Sequence, residues 1–77
     1  HVVTAELDAG PLIAQAAIDI EKGDTPESLS ARLLAREHEL LPACVQLIAC
    51  GKLTFDDGSP YFEGHPLHAP LQWPWPH

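Results

Sequence analysis

Glu6 and Asp8 flank Leu7 in the stretch Ala5-Glu6-Leu7-Asp8-Ala9-Gly10-Pro11. Residues two apart in an extended chain point the same way, so these two carboxylates share a side. Asp8 stands just before Ala9-Gly10-Pro11, where the backbone must turn. Carboxylates on an elbow between two strands are well placed to relay protons or to accept N–H groups of a ligand. The same spacing also suits an Asx turn, in which Asp8 bonds its own downstream N–H.

A third carboxylate stands out further along. At about 100° per residue, Leu29, Leu33, Leu40, Cys44, Leu47 and Ile48 fall on one apolar arc of a helix, and Glu37 falls inside that arc. A carboxylate on a buried face is costly unless it is paired or bound to something polar. Three readings are open: Glu37 reaches solvent at the edge of the core, it pairs with Arg32 or Arg36, or the helix face borders a cleft where Glu37 accepts hydrogen bonds from ligand hydroxyls. His38, about a quarter-turn away, reads as solvated.

The remaining reactive residues form weaker patterns. Cys44 and Cys50 lie roughly 120° apart on a helix, too far to bond each other or to share a metal there, and read as buried thiols in a reducing compartment. His65-x-x-His68 with His77 has no strong-ligand cluster beside it, and no metal is expected. Phosphate-loop and nucleophilic-serine motifs are absent.

These side chains need elements to hold them. His1 to Thr4 reads as the inside of a strand. From Leu12 to Glu21 the pattern alternates, with Leu12, Ala14, Ala16, Ile18 and Ile20 on one face and Ile13, Gln15, Ala17 and Asp19 on the other, which predicts a second strand hairpinned to the first. Thr25 and Pro26 suit the N-cap and first position of a helix, and Asp24 with Glu27 offers a competing capping register. The helix is expected to run to about Cys50, with Gly51 beyond it in the left-handed conformation and a kink or restart at Pro42. Leu53 to Phe62 reads as a hairpin turning at Asp57-Gly58. His65 to His77 holds four of the eight prolines and both tryptophans, and is expected to be extended or irregular, with Trp73 and Trp75 lying on the body's surface or loose.

Seventy-seven residues allow one small domain, and a chain of this size buries only about 60% of the surface its unfolded form exposes. Four Lys and Arg against eleven Asp and Glu give a formal charge of −7, which argues against a nucleic-acid or anionic-membrane surface. No apolar run is long enough for a membrane-spanning helix. The chain contains no Met and opens on an apolar, β-branched run, so it is expected to be a fragment whose sheet continues in sequence upstream.

Several of these pieces together resemble the phosphoribosylglycinamide formyltransferase family, in its C-terminal half. They are His1 to Pro11, Ile13-x-Gln15-Ala16, Gly23-Asp24-Thr25 with Leu29 and Arg32, Glu37-His38-x-x-x-Pro42, and Gly51-Lys52-Leu53. The first stretch resembles formyltetrahydrofolate-using enzymes in general, and the Glu37–Pro42 piece is the more specific. The resemblance implies an α/β, Rossmann-like formyltransferase fold, with residues 1–64 as its C-terminal part and 65–77 as a Pro/Trp/His-rich tail outside it. It implies formyl transfer from 10-formyltetrahydrofolate, the formyl-donor cosubstrate, to the amine of glycinamide ribonucleotide in purine biosynthesis. Asp8 then matches the catalytic aspartate. His1, Val3, Thr4, Ala5 and Asp8 match folate-binding positions, and Glu37 matches the carboxylate that holds ribose hydroxyls. The family's catalytic Asn, second His and phosphate site have no counterpart here. The expected partner is therefore the missing N-terminal half, the chain alone is expected to be inactive, and the compartment is expected to be the cytoplasm. Two rivals stay open: a formyltetrahydrofolate deformylase or other formyltransferase sharing the elbow, and a non-catalytic module whose helix docks a partner.

Overall fold

The computed structural model describes residues 1–76. Its architecture is a β-hairpin covered on one face by a long helix, followed by a small second sheet and a returning tail. The hairpin pairs β1 (Val2–Asp8) with β2 (Leu12–Asp19), antiparallel as the alternation predicts. Helix α1 spans Pro26–Ala49. A second sheet holds β3 (Leu53–Asp56), β4 (Ser59–Phe62) and β5 (His65–Pro66), in that order. Strand β6 (Leu71–Gln72) then joins the first sheet beside β2, so its order is β1-β2-β6.

Register explains the core. Val3, Ala5 and Leu7 oppose Ile18, Ala16 and Ala14, and these six side chains face α1. The ladder slips between Leu7 and Asp8: Leu7 opposes Ala14 but Asp8 opposes Leu12, so Ile13 is an extra residue, a β-bulge. The bulge corrects the simple alternation, because Ile13 and Ala14 both turn into the core with Leu40, Cys44, Leu47 and Leu53. The other face of the hairpin carries Thr4, Glu6, Ala17 and Asp19, all exposed.

Local chemistry sets the ends of α1. Thr25 Oγ1 accepts the Ser28 N–H at 3.1 Å and Ser28 Oγ accepts the Thr25 N–H at 2.9 Å, a reciprocal capping box with Pro26 just inside it. Asp24 takes no part in that box. Its carboxylate accepts the Glu21 N–H at 2.7 Å, the Ser28 hydroxyl at 2.9 Å and Arg32 Nη1 at 2.7 Å. Arg32 also donates Nη2 to the Asp19 carbonyl at 2.6 Å, so one guanidinium ties the end of β2 to the start of α1. At the other end Lys52 N–H bonds the Leu47 carbonyl and Gly51 N–H the Ile48 carbonyl, with Gly51 at φ 81°. This is the Schellman arrangement, with the expected glycine in its left-handed position. The helix runs through Pro42 without a break. The carbonyl of His38, which loses its donor there, sits on an exposed part of the helix where water can serve it.

The β3–β4 hairpin turns at Asp57 and Gly58, at φ 51° and 79°. A second two-residue turn at Glu63 and Gly64, at φ 50° and 82°, adds β5. Both pairs have the positive φ that matches the twist of flanking strands. The tail is mostly irregular, as expected, but it is anchored. β6 aligns parallel to β2 at Ala14 and Gln15, Trp73 N–H bonds the Gln15 carbonyl at 2.8 Å, and both tryptophans pack on the core.

Candidate functional site

Asp8 is the last residue of β1 and sits at the bulge, so the slip in register turns the chain beneath it. The elbow closes through its backbone, with the Ala9 N–H bonding the Pro11 carbonyl at 2.9 Å. The Asx turn does not form, and among the described residues the exposed Asp8 carboxylate accepts no hydrogen bond. Glu6 is exposed beside it. A bulge at a strand end is a common way of aiming one side chain out of a sheet, and here it leaves the Asp8 carboxylate uncommitted.

Glu37 is exposed on α1 and joins none of the ion pairs. The two arginines weighed as its partners are engaged elsewhere: Arg32 with Asp24, and Arg36 with Glu39 at 2.9 Å. Its position on the helix is informative. The buried face centres on Leu40, Cys44 and Leu47, while Ile48, which the periodicity placed on the same arc, is 47% exposed. Ile48 belongs with Leu34, Leu41 and Val45 on a second apolar flank, about 100° around the helix from the buried face. Glu37 falls in the seam between the two.

The remaining expected site residues lie along β1. Ala5 is buried and Val3 half-buried against α1. Because Ile20 N–H bonds the His1 carbonyl, the backbone groups of His1, Val3, Ala5 and Leu7 are turned to β2. By the two-residue period of a strand, those of Val2, Thr4 and Glu6 face the unpaired outer edge. A ligand lying along this edge would therefore meet the N–H and C=O of Thr4, with Val3 and Ala5 supporting it from behind. That arrangement can accept and donate hydrogen bonds to a flat heterocycle, and β1 carries the Asp8 carboxylate at its end.

Two hollows open elsewhere on the molecule. A small hollow of about 260 Å³ is lined by Ile18, Arg32, Ala35, Arg36 and Glu39. A larger groove of about 1210 Å³ runs between α1 and the tail, walled by Pro42, Leu47, Phe62, Leu71, Trp73 and Trp75. Neither is lined by Asp8 or Glu37. Sequence periodicity had no means of finding the groove, because its two sides are remote in the chain. There the indole N–H of Trp73 donates to Glu39 Oε1 at 2.8 Å, and that bond, with the Arg36 guanidinium, holds the Glu39 carboxyl below its usual range.

Cys44 is buried, and burial pushes its thiol up from the ordinary value. Cys50 is exposed, contrary to the expectation for both thiols, because the helix ends there and turns away at Gly51. His65 and His68 are exposed, and no group of three metal-ligating side chains occurs among the described residues. His77 lies outside them.

Similarity to known proteins follows the same segments. The formyl transferase family model matches residues 1–45, which hold β1, the elbow, β2 and most of α1. The chain is 34% identical over 67 residues to phosphoribosylglycinamide formyltransferase of Escherichia coli (strain K12), covering 87% of this chain and 32% of that protein. It is 43% identical over 51 residues to the trifunctional purine biosynthetic protein adenosine-3 of Homo sapiens, covering 66% of this chain and 5% of that protein. Among solved structures, the phosphoribosylglycinamide formyltransferase of Coxiella burnetii superposes with a TM-score of 0.66 at 43% identity, over 79% of this chain and 29% of that one. The chain thus spans about a third of the length of its bacterial relatives. Its hairpin and helix are a portion of their Rossmann-like α/β fold. With more than half its length under the family model and a solved relative superposing over 79% of it at 43% identity, this chain belongs to the formyl transferase family.

Proposed function

We propose that this chain is the part of a folate-dependent formyltransferase that carries the acid–base aspartate and the ribose-binding glutamate. The whole enzyme moves a formyl group from 10-formyltetrahydrofolate to the primary amine of glycinamide ribonucleotide, in the cytoplasm, as a step of purine biosynthesis. The observation that supports this reading is that Asp8 and Glu37 are both exposed and make no side-chain hydrogen bond or ion pair among the described residues. One ends β1, and the other stands on α1 between its buried face and its exposed apolar flank.

When the amine attacks the formyl carbon, an oxyanion develops and a proton must leave the nitrogen. The Asp8 carboxylate suits the holding of a positively polarised proton carrier or an ordered water next to that nitrogen. Thr4, Val3 and Ala5 offer the strand edge along which the folate ring lies, and His1 supports its start. Glu37 accepts hydrogen bonds from the ribose hydroxyls and fixes the nucleotide against α1. The chain spans about a third of the length of its bacterial relatives, so the rest of the site is assigned to the remainder of such an enzyme, and the chain alone is expected to be inactive.

The test is kinetic, in an enzyme that contains this segment together with the remainder of a formyltransferase. Asp8→Asn should lower kcat by about 10²–10⁴ with little change in the KM for either substrate. Glu37→Ala should raise the KM for the ribonucleotide and leave the KM for the folate unchanged. Equal loss in both KM values for Glu37→Ala, or full kcat in Asp8→Asn, would overturn the assignment. Turnover by the isolated chain at the rate of the assembled enzyme would also overturn it.

A further inference from the structure

We propose that Ile13 is a positioning residue for the reaction: its burial holds the slip in the β1–β2 ladder that aims the Asp8 carboxylate. The inference rests on the proposed function and names the side chain through which the core governs the acid–base group.

Two registers compete at this end of the hairpin. Leu7 opposes Ala14 with both side chains turned to α1, so regular pairing would set Asp8 against Ile13 on the opposite face. Thr4 and Glu6 mark that face as exposed. Ile13 would then stand in water beside the carboxylates of Glu6 and Asp8, and Leu12 would turn inward instead. The choice of register is therefore a competition between two apolar residues for one pocket. The pocket goes to Ile13, which is 2% exposed and packs in one cluster with Leu40, Cys44 and Leu47 of α1 and Leu53 of β3. Leu12 is left half-buried opposite Asp8. A β-branched side chain in a dense core is stiff, so the backbone of Ile13 is fixed with it.

The slip acts on Asp8 in two ways. It leaves Ala9-Gly10-Pro11 alone as the loop, closed by the Ala9 N–H on the Pro11 carbonyl at 2.9 Å with Gly10 at φ 84°. It also bends β2 and sharpens the twist where β1 ends. Regular pairing would add Leu12 to the loop and remove that twist, and the carboxylate would be re-aimed. Misplacing an acid–base group by about 1 Å is enough to cost roughly 100-fold in rate.

The experiment is a double-mutant cycle in an enzyme that contains this segment together with the remainder of a formyltransferase. Ile13→Thr keeps a β-branched residue but surrenders the pocket to Leu12. It should lower kcat by about 10-fold to 100-fold and leave both KM values within about 2-fold. Ile13→Val, which keeps the apolar drive, should restore kcat to within about 3-fold of the native enzyme. Leu53→Ala thins the same cluster away from the elbow, and should also keep kcat within about 3-fold although it lowers the Tm. In an Asp8→Asn background, Ile13→Thr should cause no further loss of kcat, because the group it positions is already gone.

An equal fold-loss in both backgrounds would overturn the inference, since Ile13 would then act by a route other than Asp8. So would a Leu53→Ala enzyme as impaired in kcat as Ile13→Thr, or native kcat in Ile13→Thr while Asp8→Asn is impaired. Full kcat in Asp8→Asn would remove the proposed function, and the inference with it. Where Ile13→Thr yields no folded enzyme, Ile13→Ala takes its place in the same cycle, and the same outcomes decide.

Discussion

Trp73 and Glu39 are joined by a hydrogen bond from the indole Nε1–H to a carboxylate oxygen at 2.8 Å, across 34 residues of sequence. The same oxygen accepts Arg36 Nη1 at 2.9 Å, so tail, helix and guanidinium meet at one atom. Trp75 packs edge-on against Trp73, with ring centroids 4.9 Å apart and planes at 76°.

Removing that acceptor should loosen the tail before it loosens the core. Glu39→Ala is expected to red-shift the tryptophan emission and to speed protease cleavage between residues 67 and 76, while the far-ultraviolet helix signal is retained. Glu39→Gln keeps an acceptor oxygen and should behave close to the native chain. A tail no more accessible in Glu39→Ala than in Glu39→Gln would show that packing alone holds it.

Asp24 makes the stability of the helix start depend on pH. The Glu21 N–H, the Arg32 guanidinium and the Ser28 hydroxyl hold its carboxyl below the usual carboxylate value. In the interval between the folded and unfolded values the unfolded chain binds more protons, so stability rises with pH there. The contribution is fully present above the ordinary aspartate range, about pH 4, and is lost as the pH falls through the lower folded value. Asp24→Asn should therefore flatten the decline of Tm on acidification, measured by circular dichroism from pH 6 to about pH 2. A parallel decline in the variant would remove Asp24 as its source.

Gly51 should tolerate substitution poorly despite having room. An added Cβ would meet no atom within 4 Å, yet φ is 81°. Gly51→Ala is expected to destabilise by about 1–2 kcal/mol through the left-handed backbone alone. Gly51→Asn should recover part of that loss, since Asn tolerates the conformation. Urea unfolding with an unchanged m-value would read both. Equal stability of the alanine variant and the native chain would mean that the helix end relaxes instead.

What was legible in the sequence was chemistry acting over a few residues. Thr25-Pro26 and Gly51 mark the ends of α1, and Asp57-Gly58 marks a turn, because each sets a local dihedral or satisfies a nearby N–H. The turn at Glu63-Gly64 was missed although it repeats the pattern, with glycine again two places after the strand end. Ile13 was put on the wrong face because a bulge is decided by how β1 pairs with β2, not by β2 alone. The pairing of β6 with β2 and the bond from Trp73 to Glu39 leave no periodic trace, since their partners are remote in the chain. For the site, Asp8 and Glu37 were singled out by type and spacing. The division of the apolar arc into a buried face and an exposed flank could be seen only once the sheet beneath α1 was fixed.

The parallel strand at Leu71–Gln72 has one more effect. Filaments that grow by strand addition need a docking edge at both ends of each building block. In this sheet β6 pairs with β2 only at Ala14 and Gln15, so it blunts that edge over two residues without removing it, and β1 forms the other edge. The tail therefore shields one side of the first sheet only where it crosses β2, and leaves the side formed by β1 bare among the described residues.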